Sequence, residues 1–357
     1  MSGELLDALR ARIRSDGPLT LAQYMAAALW DPRHGYYAIR DPLGASGDFI
    51  TAPEISQVFG ELIGLWFADT WRNIGAPDPV ILCELGPGRG TLLADFLRAA
   101  RGVPEFRRAL RVHLVEASAP LRAAQAKALA DFDPVWHANV AELPPGPLLL
   151  VANEFLDALP IRQFERRADG WHERRIGLDA EGALAFVVDA APTSEALPDW
   201  PEGSIAEDCP AARELAQAIG ARLARDGGAA LFIDYGYCPR APGDSFQAVA
   251  AHRRHDPLRD PGKADLTAHV DFASFAAAAT AAGARAWGPA AQGAWLQSLG
   301  IAARLAALGA GKDAAAVESL AAGVRRLIEP AQMGTLFKAL ALTSPAAPPP
   351  AGFARKR

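Results

Sequence analysis

The chain has 357 residues, half of them hydrophobic and 22% charged, with 36 basic and 41 acidic side chains giving a net charge of -5. These proportions match a folded, enzyme-sized protein rather than a disordered, collagenous or membrane chain, and the interspersed charges leave no broad basic footprint for nucleic acid. Three cysteines, Cys83, Cys209 and Cys238, lack CxxC and metal-ligand spacing, which predicts a reducing compartment, no disulfide and no metal site.

Residues 1–14 carry acids and lack the apolar run of a signal peptide. No stretch of about 18 uninterrupted apolar residues occurs. The expectation is a cytoplasmic protein without membrane insertion. In chain order, Leu5, Leu6, Leu9 and Ile13 recur at helical spacing, and Thr20 with Gln23 forms a capping box ahead of a helix that Asp31-Pro32 stops. Thr51 with Glu54 repeats the box and predicts one helix through Phe59, Leu62, Ile63 and Trp66. Residues 1–78 therefore read as an N-terminal helical cap with a cofactor-covering loop.

From residue 79 short apolar runs, at 80–84, 112–116, 148–152 and 229–234, alternate with amphipathic segments. That alternation implies a parallel sheet with helices on both faces, an α/β Rossmann-like domain over residues 79–340. Strand-like pieces broken by Pro192, Pro198 and Pro201 mark an inserted, lid-like segment at about 162–208. The alanine-rich stretches 272–308 and 314–328 read as packed helices. The proline-rich residues 341–357, ending in Arg355, Lys356 and Arg357, read as a disordered tail.

The most informative segment runs from Val80 into Glu84, Gly86, Gly88 and Gly90, then a helix from Thr91. Glycines permit positive φ and let a ligand approach backbone N–H groups. A dinucleotide fingerprint separates its second and third glycines by three positions and places a pyrophosphate beside them. Here the separation is two, and Glu84 would repel a pyrophosphate, so a nicotinamide oxidoreductase fits poorly. The ammonium, carboxylate and sulfonium of S-adenosyl-L-methionine fit a mixture of backbone donors and a carboxylate. Glu116 closes the next strand and is placed to accept hydrogen bonds from two ribose hydroxyls. Asn139, after the third strand, reads either as an adenine contact or as a turn former.

Asn153, Glu154 and Asp157 follow the run at 148–152, at the carboxyl edge where ligands of open α/β sheets bind. An i, i+3 spacing puts Glu154 and Asp157 on one face if a helical turn begins there, which suits recognition of a guanidinium; the other reading makes Asn153 and Asp157 helix caps. Gly47 and Asp48, just before Thr51, are expected to close over the methionine end of the cofactor. His269, flanked by Asp265 and Asp271, reads as a structural hydrogen-bond cluster, and no histidine has the partners of a hydrolytic triad.

Several of these stretches together resemble the MidA-like methyltransferase family. They are Gly47-Asp48-Phe49-Ile50-Thr51-Ala52-Pro53-Glu54 and on to residue 61, the glycine turn at 84–92, Asn153-Glu154-Phe155-Leu156-Asp157-Ala158-Leu159-Pro160, Asp234-Tyr235-Gly236, residues 264–272, and Gln292-Gly293 through residue 300. The resemblance spans about residues 18 to 340. It implies a class I methyltransferase fold. For the family's mitochondrial members, which help assemble respiratory complex I, it implies symmetric dimethylation of an arginine in a complex I subunit. Carried over, Gly86, Gly88 and Gly90 become cofactor ligands, Glu116 the ribose acceptor, and residues 153–157 the edge of the acceptor pocket. The expected activity is protein-arginine omega-N methylation of a protein substrate such as an NADH dehydrogenase subunit, with a homodimer left open. A small-molecule methyltransferase and an assembly chaperone that binds the cofactor with little turnover stay as alternatives, since fold alone does not fix the acceptor.

Overall fold

The computed structural model describes residues 3–39, 51–250 and 252–353. Gly47 and Asp48 lie outside the described residues. The chain divides into two compact units, one of Ile50–Leu156, Glu214–Cys238 and Phe272–Arg357, the other of Met1–Phe49, Asp157–Arg213 and Pro239–Asp271.

The first unit is built on strands β1 (Val80–Leu85), β2 (Leu110–Val115), β3 (Val135–His137), β4 (Leu148–Asn153), β5 (Gly228–Tyr237), β6 (Arg285–Ala291) and β7 (Phe337–Thr343). They lie in the order β6-β7-β5-β4-β1-β2-β3. Strands β1 and β4 are buried along their whole length, which is why they read as unbroken apolar runs rather than alternating ones. Cys83 of β1 sits opposite His113 of β2 on one side and Leu150 of β4 on the other, both in parallel register. The chain winds outward from β1 through β2 and β3, then returns to β4 and β5 on the opposite side. The sheet order therefore reverses between β1 and β4, and the carboxyl ends of these two strands border the crevice where open α/β sheets bind ligands.

Helices Gln57–Asn73 and Thr91–Ala100 cross closely in this unit. A Cβ at Gly60 would lie 2.7 Å from Cβ of Asp95, and one at Gly64 would lie 2.6 Å from the Phe96 carbonyl oxygen, so only glycine allows the approach. Their apolar faces join Leu82, Val112, Leu149 and Leu231 in one core.

Three expectations change here. The helix predicted from Thr51 is broken: residues Ala52–Ile55 form one turn, Ser56 is extended, and its Oγ accepts from Val58 N to start Gln57–Asn73. Thr51 makes no side-chain cap bond; the Glu54 N–H donates to the Thr51 carbonyl at 2.9 Å and the Glu54 carboxylate accepts from Thr91 instead. The alanine-rich stretch 272–308 is not all helix, since it contains β6, which pairs antiparallel with β7 across an irregularity between Trp287 and Ala290. Alanine and leucine favour helices by propensity, and pairing of β7 between β5 and β6 overrides it. The tail is ordered through Phe353: Ala347 and Phe353 are buried, and Trp66 Nε1 donates to the Ala351 carbonyl at 2.9 Å.

In the second unit, helices Glu4–Asp16 and Leu21–Trp30 bury Leu5, Leu9, Ile13, Leu21, Tyr24 and Met25 against Ile161, Ile176 and Leu266. Thr20 and Gln23 form the predicted capping box. Strand Leu19–Thr20 pairs with Gly170–Leu178, which pairs with Arg162–Arg167 and Leu184–Val188, and Ile205–Asp208 closes the other edge. The N-terminal helices and the 162–208 segment thus share one core, whereas Gln57–Asn73, expected in the cap, belongs with the large sheet. Among the described residues no helix is long and apolar enough to cross a membrane, and no group of three or more His, Cys, Asp or Glu is arranged to hold a metal ion.

Candidate functional site

The turn after β1 takes its shape from Gly86, Gly88 and Gly90, whose φ values are +59°, +55° and +83°. Side chains with a Cβ resist this left-handed region. At Gly86 a Cβ would also come 2.8 Å from Phe155 Cδ2. The turn is stitched to its neighbours by Gly86 N–H to the Val115 carbonyl at 3.0 Å and Gly90 N–H to the Pro87 carbonyl at 2.8 Å.

Two carboxylates flank this turn. Glu84 is 3% exposed, and its Oε2 has no hydrogen-bond partner among the described residues. Burial, and then the charge of Glu116, push its pKa up to about 8. Such a group costs on the order of 1–3 kcal/mol while unpaired, so the crevice is suited to a ligand that brings a cation or a donor. Glu116 is buried too, but its carboxylate is oriented: Ser118 N–H reaches Oε1 at 2.8 Å and Gln125 Nε2 reaches Oε2 at 3.1 Å. Burial raises the Glu116 pKa, against the hydrogen bonds from Ser118, Gln125 and Ala117.

On the β4 side, Asn153 is buried. Its Nδ2 donates to Glu154 Oε1 at 3.1 Å, and its Oδ1 has no partner among the described residues. No helical turn follows. Glu154 adopts φ +50° and donates its backbone N–H to the Ile233 carbonyl at 2.9 Å. Asp234, within β5, then accepts from Phe155 N at 3.1 Å and Leu156 N at 2.9 Å. The shared helical face expected for Glu154 and Asp157 is therefore not formed, because a left-handed residue ends the strand. Asp157 belongs to the second unit, where its carbonyl accepts from Ala268 N at 2.9 Å.

The segment Ala52–Ile55 ties both sides of the crevice together. Ala52 N–H donates to Glu154 Oε1 at 2.9 Å, and Thr91 Oγ donates to Glu54 Oε1 at 2.5 Å. Asn139 follows the end of β3 by two residues, where the His137 carbonyl accepts from Glu116 N at 3.2 Å; it is exposed, its Oδ1 accepts from Ala141 N at 3.0 Å, and its Nδ2 donates to Glu142 at 2.7 Å. These are the bonds a turn former makes. Gln125, Phe155 and Asp234 were not singled out as site residues. Asp234 had a signal, as the acid closing an apolar run; Gln125 had none, because its partners Gly88, Glu116 and Trp136 sit on other elements that only the fold brings to it.

Residues 62–290 match a family model described as "Putative S-adenosyl-L-methionine-dependent methyltransferase". The chain is 38% identical to the zebrafish (Danio rerio) protein arginine methyltransferase NDUFAF7, mitochondrial, over 94% of this chain and 85% of that protein. It is 36% identical to the human one over 95% and 83%. A solved structure from Burkholderia thailandensis, bound to S-adenosyl-homocysteine, superposes with a TM-score of 0.84 at 31% identity, covering 99% of this chain and 93% of that one. The relatives' names also overturn the expected cytoplasmic location, since they are mitochondrial proteins.

Proposed function

The chain belongs to the family of S-adenosyl-L-methionine-dependent methyltransferases, and from that premise we propose that it methylates an arginine of a protein, with a subunit of respiratory complex I as the acceptor. The cofactor is S-adenosyl-L-methionine, which supplies an electrophilic methyl group on a sulfonium. The observation that carries the placement is the pair of buried acceptors without partners among the described residues, Glu84 Oε2 and Asn153 Oδ1, at the ends of the two strands that border the switch point.

Glu84 answers the cofactor's ammonium, the turn at Gly86, Gly88 and Gly90 offers backbone close to the amino-acid portion, and Glu116 accepts from the ribose hydroxyls. Asn153 and Glu154 border the acceptor side. An arginine side chain arrives as a cation with its lone pairs delocalised. A carboxylate and an amide oxygen on the distal nitrogens would hold the positive charge there, leaving the reacting nitrogen to bond to the methyl carbon as the carbon–sulfur bond breaks and the thioether leaves, its proton passing to water. Positioning of this kind supplies much of the rate in a displacement reaction. The arginine acceptor is supported by the names of the relatives at 36–38% identity; the complex I subunit rests on the family resemblance.

Mass spectrometry of arginine methylation in cells with and without the protein tests the reading. A dimethylarginine lost from a complex I subunit on deletion, restored by the wild-type chain and not by Glu154→Gln, is the expected result. Unchanged arginine methylation would overturn the arginine acceptor.

A further inference from the structure

Gln125 lies on helix Ala119–Ala128 and is fully buried. Its carboxamide is used completely. Trp136 Nε1 donates to its Oε1 at 2.8 Å, and its Nε2 donates to the Gly88 carbonyl at 2.8 Å and to Glu116 Oε2 at 3.1 Å. An indole N–H is a donor only, so the amide oxygen must face Trp136 and the NH2 group must face Gly88 and Glu116. One side chain thereby joins the glycine turn, the end of β2 and strand β3. Ser118 N–H holds the other Glu116 oxygen at 2.8 Å, so the carboxylate is pinned at both oxygens and cannot rotate.

We propose that Gln125 is a positioning residue for the cofactor's ribose: it fixes the plane of the Glu116 carboxylate so that the remaining lone pairs meet two vicinal hydroxyls, and it locks the glycine turn to that carboxylate. This rests on the ribose role given to Glu116 above. A plain packing role needs no polar atom at a fully buried position. An apolar side chain of similar length would fill the space without a desolvation cost, but would leave the Trp136 indole and the Gly88 carbonyl unpaired and the carboxylate free to turn.

The test is calorimetric binding of S-adenosyl-homocysteine and of its 2′-deoxy analogue to wild type, Gln125→Met, Gln125→Glu and Trp136→Phe, each checked for folding by thermal denaturation. In wild type the 2′-deoxy analogue binds about tenfold more weakly, the effect of one hydrogen bond to a charged acceptor. In Gln125→Met the parent ligand weakens by about tenfold and the deoxy penalty shrinks below about threefold, because an unpinned carboxylate no longer reads the hydroxyl. Gln125→Glu places a second carboxyl against Glu116, so its affinity recovers as pH falls and the introduced group is protonated, while the Met variant follows the wild-type pH profile. Trp136→Phe keeps the amide and loses the donor that orients it, giving a weaker effect of the same sign, and it decides the matter should Gln125→Met fail to fold. Unchanged affinity, or an undiminished deoxy penalty in the folded variants, overturns the proposal. Failure of the wild-type chain to bind S-adenosyl-homocysteine would instead overturn the cofactor site itself.

Discussion

Both units bury glutamates, and Glu207 of the second unit and Glu84 of the sheet unit are treated in opposite ways. In the second unit Glu207 accepts from Ser245 N at 2.9 Å and Gln163 Nε2 at 2.8 Å, and takes a very short bond from Ser245 Oγ. Nearby, Glu173 is held by Arg162 and Arg175. In the sheet unit Glu84 keeps an oxygen without a partner among the described residues. Buried polar groups in folded proteins are nearly always paired, so an exception calls for an explanation. The contrast separates acids paired within the fold from one with an oxygen unpaired among the described residues, the acid proposed to meet the cofactor's ammonium.

The strongest test of this contrast removes the satisfied acid. Glu207→Ala would leave the Ser245 N–H and hydroxyl without their acceptor and Gln163 Nε2 with Asp244 alone, costing about 2–3 kcal/mol of stability by denaturant unfolding. Affinity for S-adenosyl-homocysteine should stay within about twofold. A tenfold loss of affinity with intact stability would erase the distinction between the two acids.

Next in size is the turn itself. Gly86→Ala forces a Cβ into positive φ and to within 2.8 Å of the Phe155 ring, and should weaken S-adenosyl-homocysteine binding by about 30- to 100-fold, roughly 2–3 kcal/mol. Adding Phe155→Ala removes the steric part, so calorimetry should recover some of the loss. No recovery would mean that backbone strain alone shapes the turn.

The sheet unit was also the more legible of the two in the sequence. Strands β1, β2, β4 and β5 pair with parallel neighbours in the buried middle of the sheet and announce themselves as apolar runs. Strands β6 and β7 did not, because alanine and leucine spell helix until a neighbouring strand claims them. The turn at Gly86, Gly88 and Gly90, with Glu84 and Glu116 at neighbouring strand ends, was legible because turn chemistry is local. Gln125 was hidden because its role exists only in the pairing of β2 with β3 and the packing of a helix on both. The helical turn expected to join Glu154 and Asp157 is missing for a related reason. Nothing in the sequence signals that Glu154 turns left-handed, and that one residue divides the segment between two units.

Glu84 itself gives a smaller but more diagnostic effect. Glu84→Gln should weaken S-adenosyl-methionine binding by about tenfold, or 1.4 kcal/mol, without loss of ligand-free stability. The carboxyl titrates near 8 in the folded chain and near 4.5 ordinarily. Between those values the folded protein binds the extra proton, so this group's contribution to stability falls as pH rises, and the glutamine variant lacks that slope. A cationic ammonium selects the ionised form. Affinity for S-adenosyl-methionine should therefore rise from pH 6 to about pH 8 in wild type, while that for methylthioadenosine, which lacks the amino group, stays flat. Parallel profiles for the two ligands would remove Glu84 from the methionine end.

The smallest effect belongs to Asn139, and it decides between the two sequence readings of that residue. Both ends of its amide are already engaged within the turn Val140–Glu142, and the side chain is exposed. Asn139→Ala should then cost about 0.5–1 kcal/mol of stability, as loss of a cap does, and shift affinity for S-adenosyl-homocysteine by less than about twofold. An adenine contact predicts the reverse ordering: near-wild-type stability, with weakened binding of S-adenosyl-homocysteine and methylthioadenosine alike, since both carry the base. Because cap and contact draw on the same two atoms, a variant that lost stability and affinity together would mean that the turn opens when the adenine binds, and the contrast between satisfied and reserved polar groups would then be one of degree.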